Sequence, residues 1–255
     1  MVYGYCLTNE ERKTVKKGSY TSSTFKKNFD ENYGNSLLLL ATAEKIPMID
    51  FSEDDIKYYE TLIDKLKFLG KNDRKLKLKE NLEKIVREQV IIAGVSNWEC
   101  YFLDVSENIL IDYILEKIYK DKNKLKKFLS DFNLRQDFNN EMLSNGYRIK
   151  GLEFADFIKK NKKINFQDID KLKNFLNILY EINIVSIDEK NWTGIVDLIQ
   201  DRHKIIHNKN DKLQYDKIMN KYTIEKIKNI IENMKKIIDE IDNILFTHYE
   251  KLFQI

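Results

Sequence analysis

From Ile224 to Leu245 the chain places apolar residues three and four positions apart. They are Ile224, Ile227, Ile230, Ile231, Met234, Ile237, Ile238, Ile241, Ile244 and Leu245. That period winds one apolar stripe along an α-helix; a strand would alternate every second residue. The helix is expected from Thr223 to about Phe253. Its stripe is longer than one domain of this size needs, so a self-association face is a further expectation. The same period runs from Arg74 to Leu103 through Leu76, Leu78, Leu82, Ile85, Val86, Val90, Ala93, Trp98 and Phe102. This predicts one helix of about seven or eight turns, with Gly94 as the place for a bend.

Shorter stretches follow the same rule. Phe29 to Ile46 reads as a buried helix stopped by Pro47. Ser52, with Asp54 and Asp55 behind it, caps a helix to about Leu69, and Gly70 stands as its C-cap. Ser106 opens another to about Tyr119, and Leu152–Asn161 and Phe166–Ile182 follow. Asn133 to Arg148 is polar and broken by Gly146. Asn208–Lys212 reads as a loop. Residues 1 to about 28 lack periodicity and read as an irregular arm. One proline and eight glycines leave few turn residues for hairpins or parallel α/β units. The fold class is therefore all-α, with residues 1–73 an N-terminal arm and helical appendage and 74–255 the main helical domain.

The two cysteines, Cys6 and Cys100, form no close-spaced metal or redox pair. Cys100 falls within an amphipathic stretch, where a buried thiol is expected. A reducing cytoplasm suits both. No apolar run has membrane-spanning length, and the first residues lack a signal-peptide core. The expectation is a cytoplasmic chain with no membrane partner. Net charge is +3 and the sequence pI about 8.5, short of a dedicated DNA binder. Lysines cluster in Lys71–Lys79, Lys117–Lys127 and Lys159–Lys163. They are either solvated helix faces or a rim that guides phosphates.

The stretch with chemical content is Asn191–Asn208, NWTGIVDLIQDRHKIIHN. Trp192, Ile195, Val196, Leu198, Ile199, Ile205 and Ile206 gather on one broad helix face. Arg202 falls near the middle of that apolar arc, His203 inside it and His207 at its margin. Asp201 and Asn208 point away. A guanidinium is rarely buried alone, because desolvating it costs several kcal/mol. Arg202 must therefore meet a carboxylate, a polar cleft or another subunit.

Arg202, a polar residue at 203 and then His207 reproduce the Arg-x4-His spacing of HEPN domains, an all-α ribonuclease and toxin family, which the chain resembles from about Arg74 to Ile255. Upstream, Val95–Val105 (VSNWECYFLDV) is similar to the first long helix of one HEPN branch. The resemblance implies a helical bundle with long antiparallel helices, in which two motif helices meet across a homodimer to form one composite site. It implies Arg202 as the phosphate-stabilising residue and His207 as the proton-transfer residue. His203 would position the phosphate or the partner motif, and Asn208 would hydrogen-bond backbone or substrate. Glu99 is either an exposed helix-surface acid or faces the bundle interior and orients Arg202 or a histidine.

Taken alone, these residue types suit RNA cleavage without metal or cofactor. The ribose 2′-OH attacks its own phosphate. Imidazole, with an unperturbed pKa of about 6.5, moves protons at neutral pH. Guanidinium offers a fixed charge and a bidentate fork for the pentavalent oxyanion. The products would be a 2′,3′-cyclic phosphate and a 5′-OH. The expected function is thus a metal-independent endoribonuclease acting on tRNA or mRNA. The family's setting suggests a toxin or antiviral defence effector with an antitoxin or sensor partner. The alternative is a non-catalytic HEPN-like dimerisation or nucleotide-binding module. His203 and His207 also have the i, i+4 spacing of a two-histidine metal pair, although HKIIH lacks a zincin glutamate. His248 reads as structural.

Overall fold

The computed structural model describes residues 22–62, 70–106, 115, 118–144, 154, 157–158, 168–180, 189–207 and 211–253. All regular structure among them is helical, and no strand occurs. In chain order the helices are α1 (Ser22–Lys45), α2 (Glu53–Leu62), α3 (Lys71–Ser106), α4 (Lys122–Asp131) and α5 (Arg135–Ser144). They continue with α6 (Ile169–Tyr180), α7 (Glu189–His207), α8 (Lys212–Asn220) and α9 (Ile224–Phe253). A short 3-10 turn, Ile46–Met48, places Pro47 where its missing N–H costs nothing.

Local chemistry sets these boundaries. Ser52 Oγ accepts from Asp55 N at 3.1 Å, and Asp55 accepts from Ser52 N at 3.0 Å. That reciprocal pair is a capping box opening α2. Asp121 caps α4 through Asn123 N and Lys124 N. Asp211 caps α8 through Gln214 N, and Thr223 Oγ1 accepts from Lys226 N at the start of α9. Between α4 and α5 the chain makes a Schellman turn. Leu134 N donates to Leu129 O at 2.8 Å and Asn133 N to Ser130 O at 3.0 Å. Asn133 takes a φ of 53°, which asparagine tolerates better than most residues with a Cβ.

The core forms where the long stripes meet. α3 supplies Val90, Ile91, Val95, Trp98, Tyr101 and Phe102; α7 supplies Trp192, Ile195, Leu198, Ile199 and Ile205. α9 closes it with the isoleucines from Ile227 to Ile241. α1 packs along both α3 and α9, and its Phe29 and Leu40 join the same core. Asn97, on α3, donates to Phe29 O at 3.0 Å. Lys26 and Asp30 of α1 interlock with Lys235 and Asp239 of α9 in four ion pairs of 2.8–3.2 Å. The segment expected as an appendage therefore lends α1 to the main core. Phe51, Ile56 and Leu78 form a separate small cluster under α2.

Two glycines face isoleucines of α9. A Cβ on Gly94 would meet Ile231 Cδ1 at 3.4 Å, and one on Gly194 would meet Ile230 Cγ1 at 3.4 Å. Gly94 serves as a seat for a neighbouring side chain within a single helix. Overfilling such a seat forces side chains off their rotamers. Gly194→Leu is expected to destabilise the chain by about 1–2 kcal/mol, read as a lowered urea midpoint. An unchanged midpoint would mean that α9 yields freely there.

The structure differs from the sequence reading in further places: Ser22–Asn28, read as part of the irregular arm, is helical; Lys122–Asp131, for which no helix is expected, is α4; and Gly70, read as a C-cap, accepts from Arg74 N at the start of α3. Arg135–Ser144, within the polar stretch expected to be broken, is a helix anchored by buried Phe138. Lys212–Asn220 is also a helix, anchored by Ile218 and Met219. Cys100 is half-buried and disulfide-bonded, which replaces the expected free thiol; Cys6 lies outside the described residues. Among the described residues no helix is long and apolar enough to cross a membrane.

Candidate functional site

The motif helix α7 is fixed to α3 by aromatic packing. Trp98 and Trp192 meet edge to face, with ring centroids 5.8 Å apart and planes at 79°. Both rings are buried. Two large interlocked side chains of this kind define how one helix is rotated against another. Here the rotation brings the residues around Trp98 opposite the C-terminal half of α7.

Arg202 occupies that seam with its side chain 18 % exposed. Its Nη1 stands 3.7 Å from Glu99 Oε1, an ion pair rather than a hydrogen bond. Its Nη2 donates to Ser96 Oγ at 3.4 Å. Its Nε is buried and has no acceptor among the described residues. Of the three environments open to a buried guanidinium, the carboxylate is present and comes from α3. Glu99 faces Arg202, with its side chain 21 % exposed.

His203 and His207 are both exposed. Their rings lie one helical turn apart with centroids at 4.3 Å and planes at 50°. This corrects the placing of His203 within the buried arc. Asp201 is corrected too: it does not point away but is 3 % exposed. It accepts from Lys204 Nζ at 3.0 Å, Lys221 Nζ at 3.1 Å and Tyr222 OH at 3.0 Å. Near its end α7 turns the Asp201 side toward the α8–α9 connection, leaving Ile206 at 36 % exposure. The buried face of α7 is thus centred on Leu198, Arg202 and Ile205, away from Val196 and Ile206. Asn208 lies outside the described residues, and so does the side chain of His248.

The Asp201 network has a pH signature. Burial by itself would raise the carboxyl pKa, but donation from Lys204, Lys221 and Tyr222 outweighs it and holds the carboxyl below its ordinary value. A depressed carboxyl stabilises the fold above its unfolded pKa, about 3.9, and loses that contribution as pH falls through the folded value. The stability gap between wild type and Asp201→Asn should therefore be widest near neutral pH and narrow below about pH 4. Denaturant melts at several pH values measure it; a gap constant down to about pH 2.5 would contradict this account.

A second buried carboxylate, Glu88, lies farther along α3. It accepts from Tyr215 OH at 2.5 Å, and burial followed by that bond raises the tyrosine's pKa. Nearby Arg87 Nη1 donates to Met219 O and Tyr222 O, and Lys84 pairs with Asp216. These bonds clamp α8 onto α3. Nothing in the sequence signalled them, because neither Glu88 nor Tyr215 breaks a helical pattern.

Among the described residues no group of three or more His, Cys, Asp or Glu side chains is placed to hold a metal ion. What the fold and site define is an all-α chain with an arginine wedged between two bundle helices and two exposed histidines beside it. Compared with protein-family models, curated proteins and solved structures, it matches none.

Proposed function

We propose that the chain is a metal-independent endoribonuclease of HEPN type that cleaves tRNA or mRNA as a homodimer. The observation that carries this reading is Arg202, held in the α3–α7 seam by Glu99 and Ser96 with the exposed His203 and His207 alongside. Its guanidinium is partly accessible and oriented, which suits a group that must meet a phosphate with little reorganisation. Residues five apart on a helix project roughly 140° from one another. One copy of α7 therefore aims Arg202 and His207 in different directions. A second copy, with its α7 facing the first, supplies the missing histidine to each arginine.

Within such a site Arg202 stabilises the charge that develops on the phosphate oxygens. His207 takes the proton from the 2′-OH or delivers one to the 5′-oxygen leaving group. Glu99 and Ser96 keep the guanidinium in place. A second reading is a non-catalytic HEPN-like pairing module that partners another defence protein. The ion pair favours it, because a guanidinium whose charge is already matched by Glu99 also serves as a structural tie between α3 and α7.

Purified chain incubated with total tRNA and mRNA in EDTA separates the two. The expected result is cleavage with 2′,3′-cyclic phosphate and 5′-OH ends, its rate rising with the square of protein concentration below the dimer Kd. A dimer that leaves both RNAs intact would favour the pairing module.

A further inference from the structure

The Schellman turn at Asn133 sets α4 and α5 around a groove of about 320 Å³. Its floor is apolar, made by Leu125, Leu129 and Phe138. Its charged lining residues are Lys122 and Lys126 of α4 and Arg135 of α5, and no carboxylate joins them. All three cations are exposed. None makes an ion pair among the described residues, whereas Lys75, Lys77, Lys84, Lys204, Lys221 and Lys235 each do. Asp121, beside Lys122, is committed to the first N–H groups of α4, and Asp131 and Asp137, the carboxylates nearest Arg135 in sequence, do not line the groove. Three like charges held around an apolar floor without counter-charge repel one another and favour an anion.

We propose that the α4–α5 groove binds a nucleoside phosphate, either a free nucleotide or one nucleotide of an RNA strand. The volume lies at the small end of ligand pockets. The apolar floor takes the flat, weakly hydrated base, and the lysines and Arg135 take the phosphate through charge-assisted hydrogen bonds. No residue of α7 lines the groove, so the proposal stands apart from the ribonuclease reading.

Calorimetric titration of the full chain with AMP, adenosine, inorganic phosphate and a penta-adenylate tests it. AMP should bind, with adenosine and phosphate each at least tenfold weaker, because each lacks half the contacts. Penta-adenylate binding that is tighter than AMP and is weakened by the groove variants assigns the groove to an RNA strand; binding no tighter than AMP assigns it to a free nucleotide. Lys126→Glu combined with Arg135→Glu should weaken AMP at least tenfold, and Lys228→Glu, an exposed cation of α9 that does not line the groove, should leave it unchanged. Both groove residues are exposed, and Lys126→Gln serves as the milder variant should the double reversal unfold. The proposal is overturned by no binding of AMP or penta-adenylate at millimolar concentration, or by phosphate binding as well as AMP. It is also overturned if Arg202→Gln abolishes binding while the groove variants keep it. That last result would place the nucleotide on α7 and so strengthen the ribonuclease reading.

Discussion

Replacing His207 with alanine is expected to lower RNA cleavage by about two to four orders of magnitude, the range a positioned general acid or base contributes. The same change leaves stability nearly untouched. His207 is exposed, and its one described ring contact is with His203, itself exposed. Surface substitutions of this kind stay within about 0.5 kcal/mol. Loss of rate without loss of fold is the pattern to look for, by single-turnover cleavage beside a thermal melt. Arg202→Ala should lose both, because it removes the proposed phosphate ligand and the guanidinium that Glu99 faces in the seam. A folded His207→Ala protein that cleaves at the wild-type rate would move the proton-transfer role elsewhere or end the ribonuclease reading.

The largest effect on stability is expected at Asp201. Its carboxylate is 3 % exposed and takes three donors from two segments, Lys204 within α7 and Lys221 and Tyr222 at the α8–α9 connection. Alanine there leaves the buried Tyr222 hydroxyl without its acceptor, a loss of about 1–3 kcal/mol. The lysines, about half exposed, turn back to water and add little. The sum is about 1–3 kcal/mol, or a Tm lower by roughly 3–10 °C. Tyr222→Phe should cost about 1 kcal/mol, and Lys204→Ala or Lys221→Ala less than that. If Asp201→Ala melts with the wild type, the network is an ornament of the surface and not a tie between α7 and α9.

Much of the fold can be read before the structure, and the reason is periodicity. The final helix, expected from Thr223, begins at Ile224. The long helix expected from Arg74 to Leu103 spans Lys71–Ser106. The motif helix, expected at Asn191–Asn208, spans Glu189–His207. Each carries a stripe long enough to outweigh local noise. The three missed helices, α4, α5 and α8, run only ten, ten and nine residues. They hold one or two anchors each, such as Phe138 or Met219, and so leave almost no stripe. Tertiary contact makes them helical, as it does most short helices.

At the site, the wheel put Arg202 on the inner face and raised Glu99 as a partner, and the two lie 3.7 Å apart. It failed for Asp201 and His203, because a wheel knows only the mean apolar direction. The C-terminal half of α7 is buried partly by the Tyr222 segment, which reaches it with a hydroxyl rather than a methyl group. A polar neighbour makes a polar residue the buried one. The Ser96 contact and the Glu88–Tyr215 clamp are likewise invisible until two distant stretches are brought together.

The seating of α1 against α9 sets an order of events during synthesis. α1 leaves the ribosome before any other described helix, yet one of the two walls it packs on is the last to be made. Until α9 follows, Phe29 and Leu40 rest on α3 alone, and Lys26 and Asp30 lack Lys235 and Asp239. Contacts so remote along the chain form late, since the loop they close must be ordered first. The α3–α7 seam that holds Arg202 against Glu99 can form earlier, but its outer wall, Ile230 and Ile231 on Gly194 and Gly94, arrives only with α9. The α3–α7 pair is thus fully packed only after translation has passed α9, which ties the finished seam to completion of that helix.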